Sequence, residues 1–91
     1  MTIRVQLPPV LRSVSGGRAE LQASGNTIGE VLEDLARTNP ALALHFFDEA
    51  HAIRRNIVCI HDGELVRANC ARTHAVRPGD EIVLANALAG G

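Results

Sequence analysis

Six side chains in this sequence of 91 residues belong to types that bind transition metal ions. They are four imidazoles and two thiols: His45, His51, Cys59, His61, Cys70 and His74. Cys59 and His61 are two positions apart, which would place both on one face of a strand. The order Cys-x-His and then Cys-x-x-x-His fits no standard zinc finger. We therefore expect surface histidines and unpaired, largely buried thiols, and no metal site.

The sequence shows no other arrangement typical of an enzyme active site. A Gly-rich phosphate loop, a pair of carboxylates placed for acid-base chemistry and a Ser-His-Asp arrangement are all missing from it. A chain this short buries only about 60–65% of its unfolded surface, which leaves one thin core and little room for a deep pocket. We expect a protein that is not an enzyme, has no catalytic residues and binds no cofactor of its own.

The last two residues, Gly90 and Gly91, are a further candidate for chemistry because they carry no Cβ. Glycine reaches φ values closed to other residues and fits a narrow channel. Two glycines at these positions occur by chance in roughly half a per cent of chains. Small residues precede them, so we predict a domain over residues 1–85 and a flexible tail over 86–91. A frayed end or an expression remnant is the alternative interpretation.

The charge distribution argues against a nucleic-acid binder. The formal net charge is −1, the nine positive side chains are all arginines, and they are scattered from Arg4 to Arg77. The two aromatic residues, Phe46 and Phe47, are adjacent and are followed by acidic residues, so no cation-flanked stacking platform is visible.

The N-terminal stretch does not resemble a signal peptide, because Arg4 interrupts its apolar residues. No apolar run is long enough to span a membrane. We expect a cytoplasmic protein without membrane attachment.

Two alternating segments near the N-terminus predict a hairpin. Thr2–Leu7 places Ile3, Val5 and Leu7 on one face, and Arg18–Ala23 places Ala19, Leu21 and Ala23 inward. The prolines after Leu7 and the turn residues Ser15-Gly16-Gly17 separate the two strands.

The middle of the chain predicts one main helix. Thr27 and Glu30 form the pattern of a capping box, and an apolar stripe recurs at helical spacing through Ile28, Val31, Leu32 and Leu35. Asn39-Pro40 begins a short helical piece, which carries Leu42, Leu44, Phe46 and Phe47 and which we expect to pack loosely over one end of the core.

The C-terminal half predicts three strands: Ile57–Ile60, Glu64–Arg67 and Glu81–Ala85. The pair Asp62-Gly63 indicates a tight hairpin turn, and Pro78-Gly79 indicates a second turn. We expect the first and last strands to be parallel neighbours at the centre of the sheet. The order of elements predicts an α+β domain with a mixed sheet of four to five strands and one main helix across one face, the ubiquitin-like β-grasp pattern.

The whole chain resembles the ThiS/MoaD-type family of sulfur-carrier β-grasp proteins. The matching stretches are the capped helix start Thr27–Leu32, the hairpin Val58–Val66, the turn and strand start Pro78–Ile82, and Leu88-Ala89-Gly90-Gly91. Its length and tail are most similar to the carriers of cysteine biosynthesis (CysO type), and next to the small subunit of molybdopterin synthase.

This resemblance implies a chemistry for the last residue. In the family, the terminal glycine carboxylate is adenylated and converted to a thiocarboxylate that donates sulfur. The resemblance thus assigns the acyl group to Gly91, with Gly90 before it. It also implies partners: an E1-like adenylyltransferase/sulfurtransferase that uses ATP and Mg, and a sulfur-accepting enzyme such as a cysteine synthase.

Docking to such partners would use apolar residues near the tail. The candidates are Leu7, Leu84, Ala85 and Leu88, with Arg67 or Arg77 on the rim. Leu7 and Leu84 could equally belong to the core, whereas Leu88 lies in the predicted tail.

Three alternatives to a cysteine-pathway carrier stay open at this point. The chain could be the small subunit of molybdopterin synthase, which binds permanently to a larger partner. It could be a ubiquitin-like modifier joined to target lysines through Gly91, or an interaction module whose glycine end is accidental.

Overall fold

A computed structural model describes residues 2–86 of the chain. Its strands are β1 (Ile3–Gln6), β2 (Glu20–Ala23), β3 (Ile57–His61), β4 (Glu64–Arg67) and β5 (Glu81–Asn86). Its α-helices are α1 (Pro9–Arg12), α2 (Ile28–Thr38), α3 (Ala43–Phe46) and α4 (Ala68–Ala71), and 3-10 turns cover Ser13–Ser15 and Pro40–Leu42. β5 includes Asn86, one residue more than predicted; the other residues of the predicted tail, 87–91, lie outside the described part.

The five strands form one mixed sheet in the order β2-β1-β5-β3-β4. β1 and β5 are parallel, and the other neighbouring strands are antiparallel. The first and last strands are therefore central neighbours, as predicted, and α2 covers one face of the sheet. The predicted α+β, ubiquitin-like β-grasp fold is confirmed.

The residues that face α2 alternate along each strand, because successive side chains of a strand point to opposite faces. Ile3, Val5, Leu21 and Ala23 are all buried, in agreement with the sequence pattern. Ala19 is exposed, so the prediction that it points inward was wrong. β2 begins only at Glu20, and the alternating pattern does not extend back to Ala19.

The start of α2 is capped by side chains at both positions that the sequence indicated. The Glu30 backbone N–H donates to Thr27 Oγ1 at 3.2 Å, which satisfies a donor that the helix itself leaves free. The Glu30 carboxylate accepts from the backbone N–H of Asn26 at 2.9 Å, one residue earlier than in the usual capping box. The apolar stripe of α2 is fully buried.

Two parts of the chain are more ordered than predicted. The connection from β1 to β2 contains α1 and a 3-10 turn, with Leu11 buried in the core. The segment around α3 packs tightly rather than loosely, because Leu42, Phe46 and Phe47 are all at most 4% exposed. Leu44, on the other side of α3, is 75% exposed.

The predicted turns are present and show the backbone that their residues favour. Asp62 and Gly63 both have positive φ, 48° and 90°, which suits the two-residue turn between β3 and β4. Gly79 has φ 94° at the third position of the turn that Arg77 begins, where a side chain would be strained.

Candidate functional site

The described chain reaches its end at the centre of the sheet. β5 lies between β1 and β3, and its last residue, Asn86, is paired with Ile57. The predicted sulfur-bearing residues Gly90 and Gly91, and the predicted anchor Leu88, lie outside the described residues. Their functions stay predictions, but the surface from which the chain leads to them is defined.

An apolar surface lies on the sheet face opposite α2. We call it the outer patch and define it by five residues on three adjacent strands: Val58, Ile60, Leu65, Val83 and Ala85. These side chains are half-buried, apart from Leu65, which is 55% exposed. These five residues are not part of the core, because the alternate residues of each strand point toward α2 and form it.

The strand register makes the outer patch continuous. Val58 pairs with Ala85, and Ile60 pairs with both Val83 and Leu65. Directly opposite residues have Cβ atoms about 4.5–5.5 Å apart, so these five side chains touch as one surface. Ala85 is the residue before Asn86, which puts the patch beside the point where the described chain ends.

Polar groups border the outer patch. Arg67 is exposed and pairs with Val58 at the edge of the sheet. On the β1 side, Gln6 Nε2 donates to the Glu81 carboxylate at 2.7 Å, and Arg4 lies 4.0 Å from the same group. An apolar centre within a polar rim is the usual anatomy of a protein–protein interface.

The predicted docking residues fall into two groups. Leu7 and Leu84 are each 2% exposed and belong to the core, so as docking residues they are corrected. Ala85 is half-buried on the outer patch, and Arg67 borders it. Arg77 is exposed in the turn before β5, at the other end of that strand.

Sequence reasoning missed four members of the patch: Val58, Ile60, Leu65 and Val83. A signal was present, because Ile57–Ile60 and Ile82–Ala85 are apolar at every position and a strand with one solvated face alternates. The sequence could not show which alternate residues of each run face α2, because all of them are apolar.

The two cysteines have different environments. Burial raises the pKa of the Cys59 thiol to about 11, so it stays protonated at neutral pH. Cys70 is exposed on α4, which corrects the expectation that both thiols are largely buried. Both are unpaired, as expected.

Among residues 2–86, no helix is long and apolar enough to cross a membrane.

Comparison with known proteins places the chain in a family. Residues 5–91 match the ThiS family. The chain is 29% identical over 93 residues to the sulfur carrier protein CysO of Mycobacterium tuberculosis, with all of both chains covered. Among solved structures, CysO in the Amycolatopsis orientalis BexX/CysO complex is 27% identical with a TM-score of 0.84, covering 98% of this chain and 99% of that one.

SAMP1, the small archaeal modifier protein 1 of Methanosarcina acetivorans, is 25% identical with a TM-score of 0.83, over 99% of this chain and 96% of that one. The fold, the central β5 and a family match that covers all but the first four residues agree with one another. This chain belongs to the ThiS family.

Proposed function

We propose that this protein is a sulfur carrier, not itself an enzyme, whose Gly91 carboxylate is adenylated and then converted to a thiocarboxylate. The observation that carries the proposal is the full-length similarity to CysO, a sulfur carrier protein, together with a ThiS match that extends through Gly91. Cysteine biosynthesis is the proposed destination of the sulfur.

The chemistry follows from the properties of a carboxylate. A free carboxylate is a poor electrophile until one oxygen becomes a leaving group, and adenylation with ATP supplies that group. Adenylation releases pyrophosphate and forms an acyl-adenylate, and attack by sulfide on its carbonyl carbon then releases AMP and leaves the thiocarboxylate. Gly90 and Gly91 have no Cβ, so they can enter a narrow partner site that excludes larger residues.

The outer patch is the proposed docking surface for the activating enzyme, an E1-like adenylyltransferase that binds ATP and Mg. Gly91 is the fifth residue after Asn86, and five residues span at most about 18 Å. Gly91 can therefore reach an active site that lies within about 18 Å of Asn86 in a partner bound to the patch.

Intact-mass spectrometry tests the carrier function. After incubation with ATP, Mg, an activating enzyme and a sulfide source, we expect one oxygen to be replaced by sulfur. Tandem mass spectrometry should locate the change at Gly91, which separates it from oxidation of Met1, Cys59 or Cys70. A chain lacking Gly90 and Gly91 is the control. A carboxylate that stays unmodified with each activating enzyme of this type would contradict the proposal.

Binding measurements with the activating enzyme test the docking surface. Leu65→Ser removes an exposed leucine from the outer patch and should weaken binding at least tenfold, because burying a leucine contributes about 1.5–3 kcal/mol. Leu44→Ser is the matched control, since Leu44 is also exposed but lies on α3. Equal weakening by both variants would argue against the patch.

A protein modifier is the second candidate, favoured by the similarity to SAMP1. Such a protein would form isopeptide bonds between Gly91 and target lysines. Higher-mass conjugates that disappear without Gly90 and Gly91 would support it, whereas a thiocarboxylate without conjugates supports the carrier.

A further inference from the structure

Four side chains with metal-binding atoms meet at the end of the sheet away from Asn86. His61 is the last residue of β3, Asp62 begins the following turn, and Asp80 precedes β5. His61 Nε2 lies 2.8 Å from Asp80 Oδ2 and 3.6 Å from Asp62 Oδ2. His74, after α4, places Nε2 2.9 Å from His61 Nδ1.

We propose that His61 Nε2 and the carboxylates of Asp62 and Asp80 bind a divalent ion of the zinc class. One ligand atom from each residue lies within 4.8 Å of the others. Zinc bonds of about 2.0–2.2 Å in a tetrahedral site place ligand atoms roughly 3.4 Å apart. The two spacings from His61 Nε2, 2.8 and 3.6 Å, lie on either side of that value, so each would change by less than an ångström on binding the ion.

The three ligands are already oriented by other groups. Asp62 uses its other oxygen, Oδ1, to accept from the Glu81 backbone N–H at 3.2 Å. Asp80 Oδ2, the oxygen beside His61 Nε2, also accepts from the Arg77 backbone N–H at 2.9 Å. Outer hydrogen bonds of this kind are typical of metal ligands, because they fix the carboxylate before the ion arrives.

His74 is a positioning residue in this site. With a metal ion on Nε2, the neutral His61 ring carries its proton on Nδ1, and that N–H donates to His74 Nε2. Without an ion, His61 Nε2 carries the proton and donates it to the Asp80 carboxylate, and His61 Nδ1 accepts from His74. A metal ion on Nε2 displaces that proton, and His74 then serves as the acceptor for the N–H on Nδ1. His74 therefore acts through His61 and does not touch the ion.

Charge and access also favour a cation. Two carboxylates face one imidazole whose side chain is 15% exposed, and the Asp62 side chain is 55% exposed. Within residues 2–86, no arginine side chain lies within ion-pair distance of either carboxylate. One side of the site is thus open for water to fill the remaining coordination position.

Cys59 and Cys70 are not part of this group. Two of its ligands are aspartates: Asp62 lies in the turn between β3 and β4, and Asp80 lies in the turn before β5. The spacing of histidines and cysteines in the sequence therefore does not reveal the site. The cluster and Asn86 lie at opposite ends of β5, about 17 Å apart along the strand. Metal binding therefore does not depend on the proposed sulfur-carrier function.

Isothermal titration of the tag-free protein with zinc chloride, together with thermal unfolding, tests the proposal. We expect one zinc ion per chain and a Tm increase of at least about 5 °C at saturation. Asp62→Asn keeps an acceptor for Glu81 and a residue tolerant of positive φ, but loses the anionic ligand; it should weaken binding at least tenfold. Asp80→Asn should do the same.

Two control variants define the site, and a third tests His74. His51→Asn removes an exposed histidine that also pairs with a carboxylate, and Cys70→Ser removes the exposed thiol; both should leave the zinc affinity unchanged. His74→Gln should weaken binding about 10–100-fold. The proposal is wrong if zinc gives neither heat nor a Tm shift, or if Asp62→Asn binds as tightly as the original chain.

Discussion

The two cysteines of this domain differ in burial and therefore in the reactivity of their thiols. Cys59 pairs with Val66 and Leu84 in the sheet and is completely buried, whereas Cys70 is exposed on α4. The thiolate is the reactive form of cysteine, and burial disfavours it. The tertiary environment, not the residue type, therefore decides which thiol can react.

Alkylation with iodoacetamide should modify Cys70 alone in the folded protein. Cys59 should stay unmodified because its pKa is raised to about 11 and reagent cannot reach it. Peptide mapping by mass spectrometry gives the site.

Unfolding in urea is the control, since it should make both thiols reactive. Because burial raises the pKa of Cys59 from 9.0 to about 11, its contribution to stability is fully present below about pH 9 and is lost as the pH rises toward 11. Rapid modification of Cys59 without denaturant would contradict this account of its burial.

At the scale of elements, α2 depends on a close contact as well as on its cap and apolar stripe. Gly29 lies in its first turn, where the carbonyl oxygen of Arg72 would be only 2.7 Å from an added Cβ. A glycine in a helix costs about 1 kcal/mol relative to alanine. The glycine is needed here because the backbone of Arg72, after α4, packs directly on the helix and leaves no room for a Cβ.

Gly29→Ala should therefore destabilise the domain despite the better helix propensity of alanine. Overpacking of this kind costs about 1–3 kcal/mol, and the nearest contact is with a backbone carbonyl, which cannot rotate away. Urea unfolding followed by circular dichroism measures the change. Arg37→Ala, on the exposed side of α2, should alter stability by less than about 0.5 kcal/mol. Increased stability of Gly29→Ala would show that the contact relaxes easily.

For the whole molecule, the decisive feature is one core shared by all five strands and α2. β5 at its centre contributes Ile82 to the core and Val83 to the outer patch. Neighbouring residues of similar chemistry thus serve different purposes: one holds the domain together, and the other forms the proposed docking surface.

Ile82→Ala should cost about 2–4 kcal/mol of unfolding free energy, because it leaves a cavity at the centre of the sheet. Val83→Ala should cost less than about 1.5 kcal/mol but should weaken binding of the activating enzyme. Chemical denaturation of both variants, with binding measured in parallel, separates the two effects. Similar destabilisation by both would mean that Val83 also belongs to the core.

Much of the fold could be predicted from local patterns. The alternation of Ile3 and Val5, the stripe of α2, and the Asp62-Gly63 turn each depend on residues close in the chain, and the structure has all three. The helical connection after Pro9 was missed, because its four-residue helix is too short to show a period. Its stability comes from burying Leu11.

The sequence by itself determined the family and the candidate chemistry of Gly90-Gly91, because both depend on residue type and order. Only the tertiary structure decided that Leu84 faces α2 while Val83 and Ala85 face outward. In a run of apolar residues, either face could be buried, and the position of α2 settles the choice. The tertiary structure also brought His61, Asp62 and Asp80 together, because Asp80 lies near the other two only when β5 pairs with β3.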